Sequence, residues 1–149
     1  MAKREVRFQD IKESVNCSNL KKQEWNEVPL LNILSSLESG SRPRGGVRGI
    51  EKGIPSIGGE HLNDLGDFRF GNIKYVPEDF FRRMRRGIIQ IGDILIVKDG
   101  ATTGKVSIVK PNFPYIPAVV NEHVFICRLK PNIYPPYVFY FLFSKGSVA

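Results

Sequence analysis

Several kinds of chemistry are excluded by what this chain has little of. Its 149 residues include two cysteines, Cys17 and Cys127, too few for a disulfide framework and without metal-ligand spacing. The two histidines, His61 and His123, lie in no nucleophile-elbow or metal-binding pattern, so neither a cofactor nor a metal is expected. Carboxylates are scattered: Asp93 and Asp99 stand alone in a turn and a loop, which argues against a self-contained nuclease. Long apolar runs are missing as well. The richest stretch, residues 134–143, is too short to span a bilayer. The N-terminus has no uninterrupted apolar run of the signal-peptide kind. The expectation is a reduced, cytoplasmic, non-enzymatic protein without a membrane partner.

Positive charge is what the chain has in excess. Lys and Arg number 22 against 15 Asp and Glu, a formal net charge of +7, which favours a polyanionic partner without establishing one. Hydrophobic content of 42% and charged content of 25% are ordinary for a globular domain, and the length is that of one domain able to bury a core. Residues 1–24 are polar and charge-mixed and read as a leader; residues 25–149 read as the folded unit.

The local pattern is α+β. Leu30, Leu31, Ile33, Leu34 and Leu37 form a short stripe at helical spacing. Between residues 40 and 53, five glycines alternate with Arg42, Arg44, Arg48 and Lys52; such spacing cannot hold a helix and reads as a cationic loop. Residues 54–57 and 73–76 read as strands, with a long polar connection containing His61 between them. Pro77 is placed to start a helix, Glu78 and Asp79 suit its first turn, and Gly87 would stop it after Arg86. Residues 118–129 supply one or two more strands, and Pro135 and Pro136 open a final helix. The expected architecture is a single domain with a mixed or antiparallel twisted sheet and a few short helices.

The most informative segment is residues 90–109. Two β-branched strands flank a polar tip with Lys98, Thr102, Thr103 and Lys105, and Gly92, Gly100 and Gly104 permit tight bends. Here Gly92-Asp93-Ile94-Leu95-Ile96 is followed by Gly100-Ala101-Thr102-Thr103-Gly104-Lys105. This order resembles the G-D-(I/V)-L-(I/V)…G-(A/S)-T-T-G-K element of the target-recognition domain of type I restriction-modification DNA-specificity subunits. Other pieces follow in the family's order: Trp25 to Leu30, Ser39 to Pro43, Ile54-Pro55-Ser56-Ile57 with Ser56 in place of an aromatic, Asn121-Glu122-His123-Val124, and Pro136 to Ser144. The similarity spans roughly residues 25–145. The chain ends at Ala149, before the downstream helix and the P-L-P…E-Q segment of the family, so a truncated domain is expected and its docking to a methyltransferase subunit stays open.

The resemblance implies a non-catalytic module that reads one half of a split double-stranded DNA target for partner modification and restriction subunits. A homodimer is one way for a half-length subunit to restore two recognition domains. On that reading Arg44, Arg48, His61, Arg69, Thr102 and Thr103 are the candidate base readers. Phosphate anchors would be Arg42, Lys52, Lys98, Lys105 and, from the Arg82–Arg86 cluster, Arg82, Arg85 and Arg86 on one helix face. Plainer readings stand beside these: a solvated loop on an incidentally basic protein, and an amphipathic helix burying Phe80, Phe81 and Met84. His123, in an expected strand, reads as a satisfied, partly buried residue. Two decoys are set aside. Gly100 to Lys105 has three residues between its glycines and Val106 after the lysine, which is not a phosphate-binding loop. Tyr134-Pro135-Pro136-Tyr137 lacks the side-chain acceptor of an amino-methyltransferase motif and reads as a helix start. The competing function is a truncated subunit acting by protein interaction, with the aromatic stretch 137–143 as its docking surface.

Overall fold

The computed structural model of the chain describes residues 26–146. The proposed leader, Trp25 and Cys17 lie outside the described residues. The elements are α1 (Leu30–Ile33), β1 (Leu34–Ser39), β2 (Ile54–Ile57), β3 (Lys74–Val76), α2 (Glu78–Arg83), β4 (Ile94–Val97), β5 (Val106–Ile108), β6 (Val119–Val120), β7 (Val124–Leu129) and α3 (Pro135–Gly146), with a 3-10 turn at Gly59–His61. The α+β class holds. The strands, however, divide between two sheets: an antiparallel one in the order β1-β7-β4-β5 and a mixed one in the order β3-β2-β6.

The near-continuous apolar sequence of β4, Ile94-Leu95-Ile96-Val97, follows from burial on both faces of the antiparallel sheet. Leu95 and Val97 enter one core with Ile57, Leu62, Ile89, Val120, Val124 and Ile126. Ile94 and Ile96 face the other way, against Leu34, Val106, Ile108, Cys127, Val138 and Phe139. A period of two therefore assigns alternate residues of one strand to different cores. The helix α3 closes the second core by seating Val138 and Phe139, each worth about 1.5–3 kcal/mol when fully buried.

Two local expectations are corrected. The helical stripe at 30–37 is a single turn followed by a strand, because Leu34 is taken into the β1–β7 ladder opposite Leu129. The helix after Pro77 ends at Arg83: Met84 is already extended at φ −67° and ψ 140°. Arg85 and Arg86 therefore do not share a helical face with Arg82. Instead Arg82 reaches Glu78 at 3.5 Å and Arg83 reaches Asp79 at 3.1 Å, both across one helical turn.

Cys127 shows how burial controls reactivity. It is 2% exposed, and desolvation, aided by the nearby Asp93 charge, pushes its thiol up to about 11. Because the thiolate is the nucleophile, a Cys17→Ser variant is expected to resist a thiol reagent at neutral pH and to react only when unfolded. Prompt modification of the native variant would contradict this packing.

Candidate nucleic-acid interface

The antiparallel strand order brings three connections to one edge of the four-stranded sheet. Ser39, ending β1, pairs with Phe125 near the start of β7; Val97, ending β4, pairs with Val124; Ile96 pairs with Val106, the first residue of β5. The basic glycine loop (40–53), the hairpin tip (98–105) and the β6–β7 turn (121–123) must therefore emerge side by side. The Gly59–His61 turn joins them, since Gly59 lies against Val97 and the Thr102 hydroxyl.

Glycines in the basic loop serve two different needs. At the stems the need is space: a Cβ on Gly40 would overlap the Val120 carbonyl oxygen, and one on Gly53 would overlap the Val76 carbonyl. At the tip the need is conformation, since Gly45, Gly46 and Gly49 have φ of 87°, 79° and 78° with open space around each. Gly40→Ala is expected to cost about 2–3 kcal/mol through backbone overlap, and Gly46→Ala about 1 kcal/mol through its dihedral angles alone. Urea midpoints of the two variants check the order.

A cleft of about 510 Å³ lies under this loop, with Arg42, Arg48, Ser56, Glu60, Lys74 and Asn121 among its lining. Lys74 is a cation that sequence reading did not single out. It pairs with Glu60 at 2.8 Å, and although desolvation works the other way, that contact holds the Glu60 carboxyl below its ordinary value. Arg42 is also paired, to Glu122 at 2.6 Å. Arg44, Arg48 and Lys52 are exposed and have no carboxylate at ion-pair distance among the described residues. These three are the cations of the loop most available to an anionic ligand.

Across the Gly59–His61 turn a second cleft, of about 360 Å³, is lined by Asn63, Asp64, Thr102, Thr103 and Lys105. Lys105 reaches Asp64 at 2.8 Å, and its hydrogen bond and charge, with a smaller contribution from Arg69, hold the Asp64 carboxyl below its ordinary value. Thr103 is exposed and its hydroxyl donates to the Gly100 carbonyl at 2.7 Å, which shapes the tip. Lys98 lies 5.2 Å from the centre of the Phe125 ring, so its charge is held close to the sheet.

Three expected placements change. His61 is fully buried: its Nδ1 accepts the Gly58 N–H at 2.9 Å, so its ring organises the turn and does not reach a base edge. The sequence around it is polar, but the turn folds inward beneath the hairpin. His123 is partly buried and partnered, as expected, yet it sits in the turn before β7, where Nδ1 meets Asp99 and Nε2 lies 3.1 Å from Glu122. The Arg82 to Arg86 cluster is broken by the end of α2, so it forms no single charged track.

Sequence reading also missed an ion-pair network in the same sheet, toward the opposite end of β4 and β7 from these loops. Arg128, inside β7, donates from Nε and Nη2 to the two Asp93 oxygens at 2.9 and 2.8 Å, and from Nη1 to Glu38 at 3.2 Å. Asp93 also accepts the Gln90 N–H at 2.7 Å, and Glu38 accepts the Gly87 N–H at 2.8 Å. Burial pushes the Asp93 carboxyl above its ordinary value against the pull of Arg128. The Asp93 carboxylate in turn holds the Arg128 guanidinium above its own. The available signal was Arg128, a charged residue inside the apolar run of β7.

Among the described residues no helix is long and apolar enough to cross a membrane, and no three His, Cys, Asp or Glu side chains are grouped to hold a metal ion. No family model and no curated protein matches the chain. Solved structures do. The HsdS subunit from Thermoanaerobacter tengcongensis superposes with a TM-score of 0.57 at 15% identity, covering 81% of this chain and 27% of that one. A chain from a structure concerned with complex assembly and conformational transition of the type I R-M system gives 0.54 at 13% identity, covering 90% and 32%. The chain thus spans about a third or less of each of these two solved chains, and it has the fold of part of the HsdS subunit.

Proposed function

We propose that this chain is a non-catalytic, sequence-specific DNA-binding module of a type I restriction-modification specificity subunit. It reads one half of a bipartite double-stranded target for partner modification and restriction subunits. The observation that carries this reading is the convergence of a cationic glycine loop and a Thr-rich hairpin tip at one sheet edge. The shared fold supports it. Arg44 and Lys52 hold phosphates, and Arg42, Lys98 and Lys105 contribute from paired or ring-stacked positions. Arg48, Arg69, Thr102 and Thr103 are the proposed readers of base edges. With about five phosphates neutralised, log K falls with log salt at a slope near −4 to −5.

Selection of bound duplexes from a randomised library, at low and near-physiological salt, tests the proposal. Enrichment of a short motif that Arg48→Ala or Thr103→Ala relaxes is the expected result. Binding without a motif that vanishes with salt would refute base reading. It would favour the second reading, a subunit acting through protein contacts, which the exposed Tyr134, Tyr137 and Tyr140 at 72%, 60% and 66% support.

A further inference from the structure

The three connections at this end of the sheet are joined by one line of polar contacts. Arg42 of the glycine loop forms an ion pair through Nε with Glu122 Oε1 at 2.6 Å. The same oxygen lies 3.1 Å from His123 Nε2, and His123 Nδ1 meets Asp99 at the hairpin tip. A carboxylate faces each ring nitrogen of His123. The second Glu122 oxygen is buried and has no hydrogen-bond partner among the described residues. That carboxylate is therefore placed by its Arg42 and His123 contacts and not by a full set of donors of its own.

We infer that Arg42, Glu122, His123 and Asp99 form a clamp that fixes the hairpin tip relative to the basic glycine loop, making His123, Glu122 and Asp99 positioning residues for DNA recognition. The inference rests on the DNA-reading proposal for its consequence but not for its geometry. The side chains of the clamp are between 35% and 52% exposed. Ion pairs in such positions contribute little to global stability. Their effect falls on the relative order of two glycine-rich segments that otherwise have open space around Gly45, Gly46, Gly49, Gly100 and Gly104. Ordering two loops before contact removes part of the ordering cost of binding.

The sign of one charge change separates a clamp from a bystander. Asp99→Asn removes a negative charge from the DNA-facing edge, so an uninvolved carboxylate would tighten DNA binding when neutralised. A clamp residue would weaken it, by roughly tenfold, as expected when one or two side chains must be ordered at binding. The salt slope should stay unchanged, because no phosphate contact is lost.

The loop geometry is read directly in DNA-free protein by electron spin distance measurements. Spin labels go on Arg44→Cys and Ala101→Cys in a Cys17→Ser background. We expect a narrow distance distribution that His123→Gln and Asp99→Asn both broaden, with thermal midpoints near wild type. A distribution unchanged by both variants would overturn the clamp, and so would tighter DNA binding by Asp99→Asn. Failure of the unmutated chain to select any motif would overturn its role in recognition, while the distance measurement would still decide whether the loops are clamped.

Discussion

Arg128→Met is expected to lower the unfolding free energy by about 3–5 kcal/mol, the cost of stranding a buried charge. Asp93 is 1% exposed, and removing the guanidinium leaves its carboxylate with the Gln90 N–H and a neighbouring Glu38 carboxylate. For a domain of this size the change corresponds to a fall in Tm on the order of 10 °C. The double variant Asp93→Leu, Arg128→Met should recover part of the loss, since apolar replacement of both partners removes the uncompensated charge. It should not recover all of it, because Asp93 also caps the Gln90 turn. A loss under 1 kcal/mol for Arg128→Met in urea denaturation would mean that the network is solvated.

The second large effect concerns binding. Substituting Arg44, Arg48 and Lys52 together by Ala removes the three loop cations that have no carboxylate partner among the described residues. If Arg44 and Lys52 each neutralise one phosphate and Arg48 reads a base edge, the slope of log K against log salt should become shallower by about 1.8. At ~0.1 M salt the two phosphate contacts and the base contact together correspond to a loss of affinity of roughly 10²–10⁴-fold. Arg42→Ala should do less, because Arg42 already shares its charge with Glu122 at 2.6 Å. Fluorescence anisotropy on a selected duplex across a salt series measures both quantities. An unchanged slope in the triple variant would move the phosphate track elsewhere on the surface. Thermal midpoints of the triple variant should stay close to wild type, since these side chains support no core contact.

Much of the fold was legible because local chemistry and final structure agree. The β4–β5 hairpin, the glycine loop and the Pro-opened α3 carry their own instructions: β-branched alternation, glycine spacing, and proline at a helix start. The misreadings arose where tertiary contacts overrode a local pattern. Leu34 and Leu37 fit a helical stripe, yet β7 had an unpaired edge that β1 fills. Arg85 and Arg86 fit a helix face, yet Met84 turns extended and the chain passes through Gly87 at φ 77° toward β4. His61 sits in a polar sequence, and only the inward fold of its turn makes it a buried ring.

For the candidate interface the division is similar. The sequence by itself determined the composition of the candidate loops, because charge content, glycine spacing and Thr content are properties that no fold can change. It also determined the strands that carry them, through hydrophobic alternation. Only the tertiary structure decided which cations are spoken for. The Arg42–Glu122 and Lys105–Asp64 pairs join residues 80 and 41 positions apart, and the Arg128–Asp93–Glu38 network ties β1 and β7 to the turn before β4. Such partners are chosen by sheet order, since antiparallel pairing brings distant strand ends to one edge. Charge is written in the chain, whereas its neighbours are assigned by the fold.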